Sequence, residues 1–452
     1  MRRESDFLYT TLYNTLKGQI ISGFIKPGEY LLPESDLCKY YKLSRNSVRK
    51  ALDLLQKEML ITKKVGLGTM VPLDLVIEPS KRKTLRIASP APAYFVDYGL
   101  PQIIKAFQQK YPNVDVKIVH LPRDNFWESF RQSCDIGLNA DIILSSDLQF
   151  TEAETMDAFM DLTPVLNDDN TATIYPKILN YYRLNDEIKA APVTFTPVFL
   201  VYNPVMFEID GIQPPNENWK LDDFIDAAQR LTKLEDDVIV QYGFSIFPYL
   251  TRWPVFALQN GLNTLEKASQ KDIIQKSLLL IQDLFFRKRI ATVYTEMPGP
   301  KNPFVSGKSA MVLTTTLEMS TWKDKNIGFE PRIAPLPFGE VKATLLQASA
   351  LMIPKDCSDV PLAEAFIKIS LEDDVQASFC WNSPFLSVKE KINTSIRDEQ
   401  SLHALNVHGS LMQNNYFLRE LFPNISTDEL TAEMSLFWLG LESPQALANT
   451  FS

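Results

Sequence analysis

Cysteine and histidine are scarce in this chain. Its 452 residues include four cysteines, Cys38, Cys134, Cys357 and Cys380, and three histidines, His120, His403 and His408. No two cysteines form a CxxC pair, so the sequence offers neither a disulfide framework nor a thiolate metal site. A reducing compartment is the simplest expectation. The histidines have no metal-ligand spacing; structural roles are expected for them, with no metal and no cofactor. No apolar run is long enough to span a bilayer. Behind the arginines of MRRESDFLYT there is neither an apolar stretch nor a small-residue cleavage site, which argues against export and for a cytoplasmic protein. There is no GxSxG elbow, no Walker loop and no paired nucleophile and base, so no enzyme class is indicated. NDDN (Asn167–Asn170) and LEDD (Leu234–Asp237) lack the spacing of a calcium loop and read as solvated turns.

What is present is ordinary for a packed soluble protein: 45% hydrophobic and 22% charged residues. The length implies two or three domains. Net charge is −9, but residues 1–75 hold twelve Lys/Arg against eight Asp/Glu, so the remainder carries −13. A basic head on an acidic body suggests that only the head meets a polyanion.

Leu8, Leu12, Leu16 and Ile20 recur every fourth residue and predict a helix with one apolar stripe, ended by Gly23. A turn at KPGE (Lys26–Glu29) precedes a second helix from Pro33, with Leu37, Cys38 and Tyr41 inward. Ser44 is a candidate N-cap for a third helix. Val48, Ala51, Leu52 and Leu55 form its buried stripe, leaving Arg45, Asn46, Arg49 and Lys50 outward near its start. ITKKVGLGTMV (Ile61–Val71) reads as two short strands about the Gly66–Gly68 turn. Three helices and a hairpin make a winged helix-turn-helix. The start of its third helix can reach base edges, with Arg on guanine and Asn on adenine. Lys63, Lys64 and the glycine-rich wing suit phosphate contact.

Taken in order, PGE (Pro27–Glu29), Glu34, Leu37, SRNSVRKAL (Ser44–Leu52), Leu60 and GLGTMV (Gly66–Val71) resemble the DNA-binding domain of GntR-family transcription regulators. The resemblance implies operator contacts by Arg45, Ser47 and Arg49, with Gly68 and Thr69 in the wing. The full candidate DNA set is Glu34, Ser44, Arg45, Asn46, Ser47, Arg49, Lys50, Gly66, Gly68 and Thr69. The chain has LLPE (Leu31–Glu34) where the family usually reads LPSE.

IEPSKRKT (Ile77–Thr84) is polar, basic and interrupted by proline, as a linker would be. Beyond it, strand-like LRIAS (Leu85–Ser89), a helix carrying Ile103, Ile104 and Phe107, then VDVKIVHL (Val114–Leu121) and ADIILSS (Ala140–Ser146) predict an α/β domain with a largely parallel sheet. Residues 85–452 are too many for one simple sheet, so two lobes with a cleft at the strand ends are expected. An ordered series resembles the extracellular solute-binding proteins of sugar ABC transporters, the maltose-binding type. It includes AFQQKYPNVDV (Ala106–Val116), ADIILSSD (Ala140–Asp147), APVTFTPVFLVYNPVMF (Ala191–Phe207), FVSGKSAMVLTTT (Phe304–Thr316) and QASALMIPKD (Gln347–Asp356).

That resemblance implies a type II two-lobed body. Lobe 1 covers about 85–195 and 335–376, and lobe 2 about 196–334 and 377–452, joined near residues 195 and 334. It also implies ligand contacts by Tyr94, Ser145, Asp147, Thr196, Tyr249, Arg252, Trp253, Thr314, Thr316, Gln347 and Ser349. Where the family often carries an aromatic after GKSAM, this chain has Leu317. The expected whole is a cytoplasmic, homodimeric transcription factor. Residues 1–75 would bind double-stranded operator DNA, 76–84 would link, and 85–452 would sense a sugar or oligosaccharide. The competing expectation is the solute-binding protein of a carbohydrate transporter.

Overall fold

The computed structural model describes residues 2–21, 25–64, 68–75, 82–153, 155–166, 172–265, 267–294, 302–323, 325, 327–381 and 383–451. The head consists of α1 (Arg2–Ile21), α2 (Glu34–Tyr40), α3 (Arg45–Lys57), β1 (Thr62–Lys64) and β2 (Gly68–Met70). Leu12, Leu16 and Ile20 put the inner face of α1 against Val48, Leu52 and Leu55 of α3 in one buried cluster. Each fully buried aliphatic side chain contributes about 1.5–3 kcal/mol, and this cluster is what holds the three helices together. The Ser44 hydroxyl accepts the Ser47 amide at 3.1 Å, so the predicted N-cap starts α3. β1 and β2 pair antiparallel with Lys63 opposite Thr69. On α2, Leu37 is buried, while Cys38 and Tyr41 pack only partly. The Gly23 stop lies outside the described residues.

The body is built on a twelve-stranded sheet. Its main strands are β3 (Lys83–Ala91), β4 (Val114–Pro122), β5 (Ile142–Ser146), β6 (Ala191–Tyr202), β7 (Val238–Ile246), β8 (Ala291–Val293), β9 (Ser309–Thr315), β10 (Arg332–Ala334) and β11 (Leu345–Met352). Their order is β8-β7-β9-β6-β11-β5-β3-β4, with β10 also paired to β6. Most of the expected linker lies outside the described residues, and β3 begins two residues earlier than expected. Lys83 is already in register with Val114, and its ammonium meets Asp359 at 2.6 Å.

The sheet is mixed, not largely parallel. The flanks are parallel, β3 with β4 and β5, and β7 with β8 and β9. The middle is antiparallel, because β6 runs against β9, β10 and β11, and β11 runs against β5. β6 explains the arrangement. Its first half, Ala191–Pro197, pairs with β11, and its second half, Val198–Tyr202, pairs with β9. The strand therefore passes from one half of the sheet to the other at Pro197–Val198. Its residues from Ala191 to Val201 are all buried, which is why APVTFTPVFLV is nearly unbroken in apolar character. The result is a two-lobed α/β body of the periplasmic-binding-protein type behind a winged helix head. No helix among the described residues is long and apolar enough to cross a membrane.

Candidate functional site

Three strands end at one place. β3 runs into α4 (Tyr94–Tyr98), β5 into α5 (Asp147–Glu152) and β9 into α6 (Thr316–Met319). These helix starts and the loop after β7 surround a cavity of about 140 Å³. Ligands of open α/β sheets sit at such strand ends. The aromatic part of the wall comes from Tyr94, Phe95, Phe247 and Tyr249, and Leu317 lines the same cavity. Phe247 and Tyr249 are near-parallel, with centroids 6.1 Å apart.

The polar part of the wall is buried and tightly organised. Asp147 is the first residue of α5, behind an N-cap at Ser146. One of its carboxylate oxygens accepts the Ala348 amide at 3.1 Å. Burial pushes this carboxyl up to about 7, against the partial relief of that amide. Arg252 and Glu318 form a buried ion pair at 3.4 Å, with side chains 5% and 6% exposed. Glu318 also accepts from Thr314 Oγ1 at 2.9 Å, Asn302 Nδ2 at 3.2 Å and the Tyr294 hydroxyl. Burial raises the Tyr294 hydroxyl well above the ordinary tyrosine range, so it stays a donor. Arg252 further donates to Thr251 at 2.9 Å, and Gln347 donates to the same hydroxyl at 2.6 Å.

Among the described residues, three residues of the cavity wall each have one fully buried side-chain atom with no hydrogen-bond partner: Asp147 Oδ2, Gln149 Nε2 and Arg252 Nε. Leaving such a group unsatisfied costs about 1–3 kcal/mol, so three such residues in one wall mark it as the place to look for a polar ligand. A carboxyl, an amide and a guanidinium beside aromatic faces are the side-chain types that bond hydroxyls while a ring stacks.

Of the body residues singled out from the sequence, the cavity wall holds Tyr94, Ser145, Asp147, Tyr249, Arg252, Gln347 and Ser349. Four lie elsewhere. Trp253 is fully buried and stacks on Phe451 with centroids 5.3 Å apart, so it is a core residue and not a platform in the cleft. Thr196 accepts the Thr316 amide at 2.8 Å and ties β6 to α6. Thr314 holds Glu318 from behind. The Thr316 hydroxyl is buried without a partner but does not line the cavity. Sequence reading missed Gln149, Glu318, Arg123 and Phe247. Gln149, two residues past Asp147 in the same helix start, was the one within reach of a motif.

On the head, Arg45 and Arg49 are exposed, 71% and 57% for their side chains. Asn46 is exposed beside them. Glu34, also in the candidate DNA set, is paired with the two arginines. Its carboxylate takes the Arg49 Nε at 2.9 Å and approaches Arg45 at 4.0 Å, so it aims the guanidinium, and its own charge would repel phosphate. Ser47 is buried, its hydroxyl 2.9 Å from that of Ser44, and so serves the helix start. Lys50 leans back over the Tyr9 ring at 5.3 Å. Gly68 adopts φ +108°, a conformation that favours glycine, and Thr69 follows it on β2. Gly66 lies outside the described residues.

Comparison with known proteins divides the chain in the same way. The family described as bacterial regulatory proteins, gntR family, matches residues 8–71. The family described as bacterial extracellular solute-binding protein matches residues 95–377. The arabinose metabolism transcriptional repressor of Geobacillus stearothermophilus is 34% identical over 101 residues, 22% of this chain; the chain spans 27% of that relative's length. An ABC substrate-binding protein from Listeria monocytogenes in complex with cycloalternan matches with a TM-score of 0.68 at 17% identity, over 82% of this chain and 97% of that one. A solute-binding protein from Thermotoga lettingae TMO bound with alpha-D-tagatose gives 0.67 at 18% identity, over 81% and 97%. At these identities the structural likeness is one of fold.

Proposed function

This chain belongs to the bacterial extracellular solute-binding protein family and carries a gntR-family domain at its N-terminus, and from that premise we propose that it is a sugar-sensing transcriptional regulator. Residues 1–75 bind operator DNA. Residues 76–84 connect, and residues 85–452 close on a sugar or oligosaccharide between lobes of about 85–195 with 335–376 and about 196–334 with 377–452. The protein works in the cytoplasm, binds rather than turns over its ligand, and meets DNA as a homodimer. One winged helix reads few bases, and two of them about one helical turn apart reach useful affinity. Arg45, Asn46 and Arg49, with the wing at Gly68 and Thr69, carry the DNA contacts.

The observation that supports the sensing role is the cavity itself. Asp147, Gln149 and Arg252, each with one unsatisfied buried atom, share its wall with aromatic faces at the strand ends. Hydroxyl-rich rings supply what these atoms lack. The neighbours with cycloalternan and tagatose bound make carbohydrate the first class to try.

The test is a thermal-shift screen of the full chain against a panel of mono- and oligosaccharides. A molecule that binds only the folded state raises the melting temperature. The expected result is a shift with at least one sugar that disappears in Asp147→Ala, while operator binding by that variant persists. No shift across the panel, or a shift unchanged in the variant, overturns the reading.

A further inference from the structure

Two of the three histidines, far from the cleft and from the head's DNA face in sequence, come together with a carboxylate. We infer that Glu399, His403 and His408 form a binding site for a divalent transition-metal ion of the zinc type. One ligand atom from each lies within 4.8 Å of the others. The His403 and His408 rings stack with centroids 4.6 Å apart, and His403 Nε2 is 3.6 Å from Glu399 Oε1.

The fold builds this arrangement deliberately. Glu399 and His403 stand one turn apart on α7 (Glu399–Ala404), and so share a face. The Asp398 carboxylate caps the helix start, accepting the Ser401 amide at 2.8 Å. The helix then ends in a Schellman turn. The Val407 amide donates to Leu402 O at 3.1 Å and the Asn406 amide to His403 O at 2.9 Å. Asn406 takes the left-handed conformation the turn requires, with φ 58°. Leu402 and Val407 are both buried, which pins the turn to the core. The chain is thereby reversed so that His408 lies back over His403. Two further bonds hold it there. Asn406 Nδ2 donates to Asn415 Oδ1 at 2.6 Å, and Gly409, next to His408, donates its amide to Glu390 at 3.0 Å.

The donor set selects the ion. Two imidazole nitrogens and one carboxylate oxygen suit zinc and its neighbours, whereas magnesium and calcium take oxygen ligands. Bonds of about 2.0–2.2 Å put tetrahedral ligand atoms about 3.4 Å apart, so a pair near the 4.8 Å limit closes by more than about 1 Å and one of the stacked imidazoles swings to aim its nitrogen at the ion. The side chains are exposed or half-exposed and can move that far on a fixed backbone. Three protein ligands leave at least one coordination position open to water or another group.

The experiment titrates ZnCl2 into the untagged, EDTA-stripped full chain by calorimetry at neutral pH, with MgCl2 as control. One zinc per chain is expected, with no saturable magnesium uptake. Binding should be lost in His403→Ala and in His408→Ala, weakened in Glu399→Gln and kept in His120→Ala. Metal-free melting curves of the variants identify any that fail to fold; for those, His403→Gln and His408→Gln replace alanine. Absence of saturable zinc binding in the wild type, or binding that survives in folded variants of both histidines, overturns the site.

Discussion

Asp147 is a carboxylate placed where charge is costly. Its ordinary value of 3.8 rises to about 7 through burial. A group whose folded value is raised contributes stability below its unfolded value and loses it as pH climbs through the folded one. Stability should therefore fall between about pH 4 and pH 7. Asp147→Asn, which keeps the shape and removes the titration, should be more stable than wild type by about 2–4 kcal/mol at pH 8 and equal to it near pH 4, as urea unfolding at both pH values would show. At this scale legibility was uneven. Asp147 and Gln347 stood in quotable strand-end motifs, ADIILSSD and QASALMIPKD. Glu318 did not, because its partner Arg252 is 66 positions away and only the fold joins them. Trp253 misled for a similar reason. The ring that covers it, Phe451, comes from the far C-terminus, and nothing local announces that closure.

Elements were easier to read than pairings. The Val48, Ala51, Leu52, Leu55 stripe and the Ser44 cap specify α3 locally, because helix periodicity and capping are short-range. Strand direction is not short-range. VDVKIVHL announces a strand by its alternation, but only the sheet order makes it parallel to its neighbour and makes Ala191–Tyr202 antiparallel to its own. α3 also carries a prediction. Arg49→Ala removes one exposed guanidinium that Glu34 orients, and should weaken operator binding by about 1–3 kcal/mol in fluorescence anisotropy without lowering the melting temperature. Glu34→Gln should instead strengthen binding to nonspecific duplex, since it deletes a negative charge beside phosphate. Reduced nonspecific affinity in Glu34→Gln would show that the carboxylate acts otherwise.

At the scale of the whole molecule, the question is how ligand binding in the body, as proposed, would reach the head. α1 rests on the body at Gly18. A Cβ there would lie 1.8 Å from Pro112 Cγ, so the contact tolerates no side chain. Gly18→Leu should push head and body apart, leaving ligand and operator affinities intact when each is measured alone and shrinking the influence of one on the other. The hinge candidate is β6, whose two halves belong to different halves of the sheet. A ligand changes DNA affinity only by the difference in its affinity for the two arrangements, typically about 1–3 kcal/mol, and the effect is reciprocal. The direct test is a calorimetric titration, at fixed salt, of the sugar that most raises the melting temperature, with and without saturating operator. The account predicts that operator changes sugar affinity by about 5–150-fold, and by the same factor as sugar changes operator affinity. Identical sugar affinity in the two titrations would contradict it and leave the body a binding module with no voice in DNA recognition.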